Sequence, residues 1–122
     1  MINIRKLFKS FHYAIEGINY ALNSDQNLVI HFIVAILVII ASILLGVGPF
    51  EMSILGVTIL VVISAEMVNS AIEKMVDLIT KEHREEAKIA KDVSAGMVLL
   101  TAIGSAIIGA LIFFPYIMRL FR

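Results

Sequence analysis

Read as a succession of apolar and polar positions, the chain divides into one amphipathic segment and three long apolar runs. In residues 1–27, Ile4, Leu7, Phe8, Phe11, Ala14, Ile15, Ile18 and Leu22 recur at helical spacing. Arg5, Lys6, Lys9, His12, Glu16 and Asn19 fall mostly on the other side. That pattern predicts a helix lying in a membrane interface. The next stretch, "LVIHFIVAILVIIASILLGVGPF" (28–50), holds one ionisable group, His31, and exceeds the roughly 20 residues a spanning helix needs. Its closing glycines and proline stop the helix and turn the chain at once, so the first and second spans are expected to form an antiparallel hairpin. "MSILGVTILVVISAEMVNSAI" (52–72) is interrupted by Glu66 and Asn69, and its pattern carries on as helix to Thr80. The last run, "VSAGMVLLTAIGSAIIGALIFFPYIM", fills residues 93–118 without a charge.

The expected architecture is therefore an all-α membrane protein, an N-terminal interfacial amphipathic helix followed by three transmembrane helices. It forms a single domain over 1–122, with spans at 28–50, 52–80 and 92–118. Composition agrees, because 60% of residues are hydrophobic and the mean hydropathy is +0.96, against about half apolar in an ordinary soluble domain. Chemistry is then confined to the membrane or its surface. Ten Lys and Arg balance ten Asp and Glu, so no global basic field calls for nucleic acid. The absence of cysteine excludes disulfides, thiolate catalysis and Cys-ligated metal centres.

Orientation follows from where the cations lie. Arg5, Lys6 and Lys9 precede the first span, and Lys81, Arg84, Lys88 and Lys91 sit between the second and third. The first loop has neither Lys nor Arg. The positive-inside bias then puts the N-terminus and the 80–92 loop in the cytoplasm and the C-terminus outside, in a multi-pass protein of the cell membrane.

Glu66 follows fourteen uncharged residues, Met52 to Ala65. At about 100° per residue, Asn69 lies about 60° to one side of it, and Glu73 and Asp77 within about 20° to either side, so the four share a stripe. A carboxylate within a span costs about 2.5 to 3.5 kcal/mol and usually faces a polar pathway or site. The plain alternative is a protonated Glu bonded between helices for assembly. Glu73 and Asp77, progressively nearer the surface, weigh against it. Clustered anions call for a hard cation, and oxygen ligands with few rigid constraints suit Mg2+ arriving with nucleotide phosphates. Past them, "KEHREEAKIAKD" (81–92) reads first as a solvated mixed-charge run. Its Lys88, Lys91, Asp92 and Ala95 nevertheless follow i, i+3, i+4, i+7 where the third span begins.

Phosphate loops, dinucleotide glycine motifs and soluble-kinase motifs are all missing, and His12, His31 and His83 lack metal-ligand spacing. Ala102, Ala106 and Ala110, with Ser105 and Gly109, give the third span small-residue faces suited to close helix packing. Two function classes fit these residues: an interfacial phosphotransferase acting on a lipid hydroxyl, and a proton- or ion-conducting subunit that uses Glu66. Confinement of the polar residues to one side of the bilayer favours the enzyme.

"EMVNSAIEKMVD" (66–77) followed by "HREEAKIAKD" (83–92), with "FHYAIEG" (11–17), resembles the signature of the prokaryotic diacylglycerol kinases. These small integral-membrane lipid kinases include the undecaprenol kinases. "DQNLVIH" (25–31) and "KDVSAGMVL" (91–99) are closer to the undecaprenol kinase branch. The resemblance implies transfer of the γ-phosphate of ATP to a lipid's primary hydroxyl, with undecaprenol favoured over diacylglycerol. It makes Glu66 the general base, and Asp25 and Glu73 the Mg2+ carboxylates. Lys6, Tyr13, Asp77, Glu82, His83, Arg84, Lys91 and Asp92 fall on the nucleotide side, and Asn69 and Ala95 near the acceptor. Asp25 stands where the family carries Glu, Lys6 where it carries Arg, and Ala95 where one branch carries Ser. Family membership further implies a homotrimer with active sites shared between subunits.

Overall fold

A computed structural model describes residues 1–122 as four helices: α1 Ile4–Ser24, α2 Gln26–Leu44, α3 Pro49–Ile79 and α4 Glu85–Leu120. The last three are each long and apolar enough to cross a membrane, and the chain is a multi-pass membrane protein.

Each boundary has a local cause. Asn3 caps α1, its side chain accepting from Lys6 N at 3.1 Å. The expected helix over 1–27 ends earlier, because Asp25 adopts extended backbone (φ −121°, ψ 107°) and closes α1 while opening α2. Its Oδ1 accepts from Asn27 N at 2.9 Å and Leu28 N at 3.3 Å, satisfying amides that a helix start leaves orphaned. The first span thus starts at Gln26 and stops at Leu44. The turn predicted from "GVGPF" is a left-handed glycine cap. Gly46 sits at φ +67°, with Val47 N donating to Ser42 O at 3.0 Å and Gly46 N to Ile43 O at 3.2 Å. Pro49 then begins α3, where its missing N–H costs nothing. Because that N-terminal turn is already helical, the second span starts ahead of Met52.

The segment between α3 and α4 is shorter than the expected 80–92 loop. Only residues 80–84 are non-helical, and Glu85 to Lys91 form the first turns of α4. At about 1.5 Å per residue, α3 is roughly 46 Å long and α4 roughly 54 Å, against a hydrocarbon core of about 30 Å. Both helices therefore project out of the bilayer, and their charged ends project together.

α3 and α4 pack antiparallel along most of their length, while α2 leans on α3 and α1 reaches mainly α2. Only ten of the 122 residues are buried, so most of the apolar surface of a single chain must be covered by lipid or by other chains. The interior is small side chains and a few polar ones: Ala35, Ala65 and Leu55 beside Ser42, Glu66, Asn69 and Ser94. In lipid such packing works through close approach and hydrogen bonds rather than a hydrophobic drive.

Candidate active site at the charged end of the bundle

The stripe expected on α3 exists, and it is graded in exposure. Glu66 is 2% exposed and Asn69 6%, whereas Glu73 and Asp77 are exposed. His31 of α2 approaches Glu66, its Nε2 lying 3.9 Å from Oε2. Asp25, Asn27 and Glu73 also face the carboxyl, yet Glu66 Oε1 is buried without a hydrogen-bond partner. A buried oxygen left in that condition is costly and rare in a structural role.

One turn along, Asn69 links the two long helices. Its Oδ1 accepts from Ser94 Oγ of α4 at 2.6 Å, and its Nδ2 donates to Glu73 Oε1 at 3.4 Å. Ser94 Oγ also lies 2.9 Å from the Lys91 carbonyl. Ser94, next to the proposed contact Ala95, is thus the buried member of the pair, while Ala95 is exposed on the outer side of α4. Ser70 donates to Asp25 Oδ2, and because Ser70 stands one turn before Glu73, Asp25 at the α1–α2 junction is held against the stretch of α3 that carries the second candidate metal carboxylate. No three carboxylate or imidazole side chains converge as a metal cage. A pair suits Mg2+, which keeps several waters and is commonly held by one or two carboxylates plus substrate phosphates. The long bond on Glu73 Oε1 leaves that exposed side chain free to serve.

Beyond Glu73, Lys91 Nζ donates to Asp77 Oδ1 at 2.7 Å, and Lys88 Nζ to Asp92 Oδ2 at 2.5 Å. These residues border a cleft of about 280 Å3 together with Lys81, Glu82, His83 and Arg84. Glu82 and Arg84 meet at 3.4 Å on the surface, and Glu82 N donates to Thr80 Oγ1 at 3.1 Å, shaping the turn. Four cations, Lys81, Arg84, Lys88 and Lys91, stand around the cleft against three carboxylates, and all but Lys81 are paired with one of them. A polyphosphate would compete with Asp77, Glu82 and Asp92 for them. Lys6 and Tyr13 lie elsewhere: both are exposed on α1, whose link to α3 is Lys74 Nζ set 5.7 Å over the Tyr20 ring.

The arrangement is a buried carboxyl with one unpartnered oxygen at the apolar end, the half-buried Asp25 and the exposed Glu73 beside it, and a cleft of mixed charge beyond. The sequence pattern of the prokaryotic diacylglycerol kinases matches residues 12–113, a stretch that holds all three. The chain belongs to that family.

Two relatives bracket this lipid kinase family member. It is 38% identical over 115 residues to a diacylglycerol kinase of Synechocystis sp., covering 93% of this chain and 66% of that protein. It is 40% identical over 112 residues to an undecaprenol kinase of Bacillus subtilis, covering 92% of this chain and 91% of that one. The two identities are too close to separate the acceptors. Sequence reasoning had no signal for Ser94 or Ser70, since a lone serine announces nothing until its partner, 25 or 45 residues away, is known. Nor could it find the pairing of Tyr116 with Glu51 at the far end, where Tyr116 Oη donates to Glu51 Oε2 at 2.7 Å and accepts from Gly48 N at 3.2 Å.

Proposed function

We propose that this chain transfers the γ-phosphate of ATP to the primary hydroxyl of a membrane lipid, undecaprenol in preference to diacylglycerol, with Mg2+ as the accompanying ion. The observation that carries the reading is Glu66, a buried carboxyl with one unpartnered oxygen between an apolar bundle and a cleft lined by charged side chains. A lipid hydroxyl arrives from the bilayer and ATP from water, and only a site at that boundary serves both.

In the reaction Glu66 takes the proton of the lipid hydroxyl as its oxygen bonds to the γ-phosphorus. The bond from that phosphorus to the β,γ-bridging oxygen breaks, and ADP leaves with the bond's electrons. Phosphoryl transfer depends on positioning and charge neutralisation more than on covalent help from the protein. Asn69, tied to Ser94, holds Glu73 on the face it shares with Glu66. Lys91, Arg84 and His83, with Asp77, Glu82 and Asp92 around them, receive the polyphosphate. Glu73 and Asp25 would hold Mg2+, which supplies charge neutralisation on the phosphates when bound.

The same reading puts the charged end and the N-terminus in the cytoplasm, on the bias of Lys and Arg. It also includes a homotrimer with shared sites. Lys6 and Tyr13 stand on α1 away from the cleft of their own chain, where a neighbour's cleft could use them, and much apolar surface awaits cover. Mixing two inactive variants, Glu66→Gln and Tyr13→Ala, restores activity if sites are shared and does not if each chain works alone.

The deciding assay gives purified protein both lipids with labelled ATP and Mg2+. Labelled undecaprenyl phosphate, abolished in Glu66→Gln, is the expected result. Preferential labelling of diacylglycerol overturns the acceptor choice. No labelling of either lipid, with a Glu66-dependent proton flux in liposomes, would replace the kinase with a conducting subunit.

A further inference from the structure

Asp25 sits at the joint between α1 and α2, and its backbone is fixed on both sides. Its N–H donates to Ala21 O at 2.9 Å, and its carbonyl accepts from Val29 N at 3.3 Å. The carboxylate is held as firmly. Oδ1 accepts from Asn27 N at 2.9 Å and Leu28 N at 3.3 Å, while Oδ2 accepts from the Ser70 hydroxyl of α3. An ionised carboxylate offers about four acceptor positions. The cap and Ser70 fill all but one of them, and the one left is on Oδ2, the oxygen turned toward α3. The terminal torsion of an aspartate is broad, and a bond to each oxygen fixes it.

The hydroxyl of Ser70 forgoes a local partner to make this bond. Ser10, Ser24, Ser42 and Ser53 each donate to the carbonyl four residues back in their own helix, the ordinary recourse of a helical serine. By that rule Ser70 would take the Glu66 carbonyl; instead it crosses from α3 to the α1–α2 joint. Standing four residues after Glu66 and three before Glu73, it lies on the carboxylate face of α3.

We propose that Ser70 is a positioning residue for the metal carboxylate Asp25. Its hydroxyl holds Oδ2 against the stretch of α3 that carries Glu73, and so makes up for a side chain one methylene shorter than glutamate. The inference rests on the Mg2+-dependent kinase reading and deepens it by naming the residue that sets the reach of one ligand. A ligating carboxylate is commonly hydrogen-bonded in turn, and loss of such an outer partner costs about 10- to 100-fold in metal affinity. Without Ser70, Asp25 keeps its charge and its cap and loses the orientation of Oδ2.

Wild type, Ser70→Ala, Ser70→Thr, Asp25→Ala and the double variant Asp25→Ala/Ser70→Ala are titrated in detergent with Mn2+ beside the β,γ-methylene analogue of ATP. Bound ion is read by water-proton relaxation, which needs no turnover. Ser70→Ala is expected to raise Kd for Mn2+ about tenfold. The Mg2+ concentration for half-maximal activity rises in step, with KM for the lipid unchanged. Ser70→Thr, which keeps the hydroxyl, stays near wild type. Because Ser70 acts through Asp25, the double variant binds Mn2+ no more weakly than Asp25→Ala alone.

A wild-type Kd in Ser70→Ala, even beside a lowered unfolding midpoint, reduces Ser70 to a staple between helices and overturns the proposal. Losses that add in the double variant overturn it too, since Ser70 then acts on another group. Ser70→Cys, whose thiol is a weak donor, replaces Ser70→Ala with the same expected shift where that variant fails to fold. If wild type itself binds no Mn2+ beside the analogue, the Mg2+ reading falls and takes this inference with it. That result is distinct from a wild type that binds and a Ser70→Ala that binds equally well.

Discussion

The two ends of the α3–α4 hairpin both carry a carboxylate in helices built for lipid, and they treat it in opposite ways. At the far end Glu51 Oε2 accepts from Tyr116 Oη at 2.7 Å, and Tyr116 in turn accepts from Gly48 N at 3.2 Å, with Arg119 5.5 Å from the tyrosine ring. That network is closed, and it ties the α2–α3 turn to α4. At the charged end Glu66 has an oxygen with no partner, its histidine neighbour stands off at 3.9 Å, and the bond that Asn69 Nδ2 donates to Glu73 Oε1 is stretched to 3.4 Å. Satisfied polar groups hold helices together, whereas an unsatisfied one leaves a place for a further partner. Being a carboxylate in a membrane helix thus does not identify a site. The state of its hydrogen bonds does.

Exchanging the two carboxylates in turn is the strongest way to break this comparison. Glu66→Gln is expected to lower kcat by about a hundredfold or more, the usual worth of a positioned base, without lowering the unfolding midpoint in detergent. Glu51→Leu is expected to do the reverse. It keeps kcat and lowers stability by about 1 to 3 kcal/mol, because Tyr116 loses its acceptor. Loss of activity in Glu51→Leu at temperatures where it stays folded would mean that the far end is not merely a clasp.

The serine and asparagine at the charged end sharpen the contrast, since they perform both jobs. Asn69→Leu removes the 2.6 Å bond from Ser94 and the tether on Glu73, so an equilibrium cost of about 1 to 3 kcal/mol and a loss in kcat are expected together. Ser94→Ala keeps the Glu73 tether and is expected to lose stability with a smaller loss of kcat. If the two variants lose kcat equally, Asn69 acts through helix spacing rather than through Glu73. Asp25 separates in the same manner. Asp25→Asn keeps a cap acceptor for Asn27 and Leu28 and removes the charge, so the melt is preserved while the Mg2+ concentration for half activity rises. Asp25→Ala loses the cap as well, at about 0.5 to 2 kcal/mol.

How far the sequence could be read depended on whether a feature is periodic or paired. The three spans, the amphipathic first helix and the stripe from Glu66 to Asp77 are periodic, and each is present, with its ends moved by local caps such as Asp25 and Gly46 that periodicity does not show. The helical start of α4 was legible in Lys88, Lys91, Asp92 and Ala95, although the loop before it was drawn too long because charge was taken for irregular structure. The resemblance makes Asp25 a metal carboxylate at a position where the family carries Glu. The fold adds a reason for the shorter side chain, since a carboxylate one methylene from the backbone caps the following helix, which a glutamate does less well. Ser94, Ser70 and the Glu51–Tyr116 clasp are pairs across long separations, and no single position carries the signal. Lys6 and Tyr13 are legible as family positions, and the fold leaves both exposed on α1, away from the cleft.

The smallest effect expected lies at the exposed Asp77–Lys91 pair. A charge pair in contact with water contributes little to stability, so Lys91→Met should leave the unfolding midpoint of the detergent-solubilised protein unmoved. Its role in the resting cleft is different: the 2.7 Å bond to Asp77 Oδ1 holds the ammonium at the cleft wall, where a polyphosphate could draw it away. Lys91→Met is therefore expected to raise KM for ATP several-fold with KM for the lipid unchanged, while Asp77→Asn frees the ammonium and lowers KM for ATP at low salt. Both shifts should shrink as ionic strength rises, because the charges are exposed to screening over about 10 Å at 0.1 M salt. Steady-state kinetics across a salt series decides it, and an Asp77→Asn variant that raises KM for ATP would show the aspartate to be a contact of the nucleotide rather than a resting partner of the lysine.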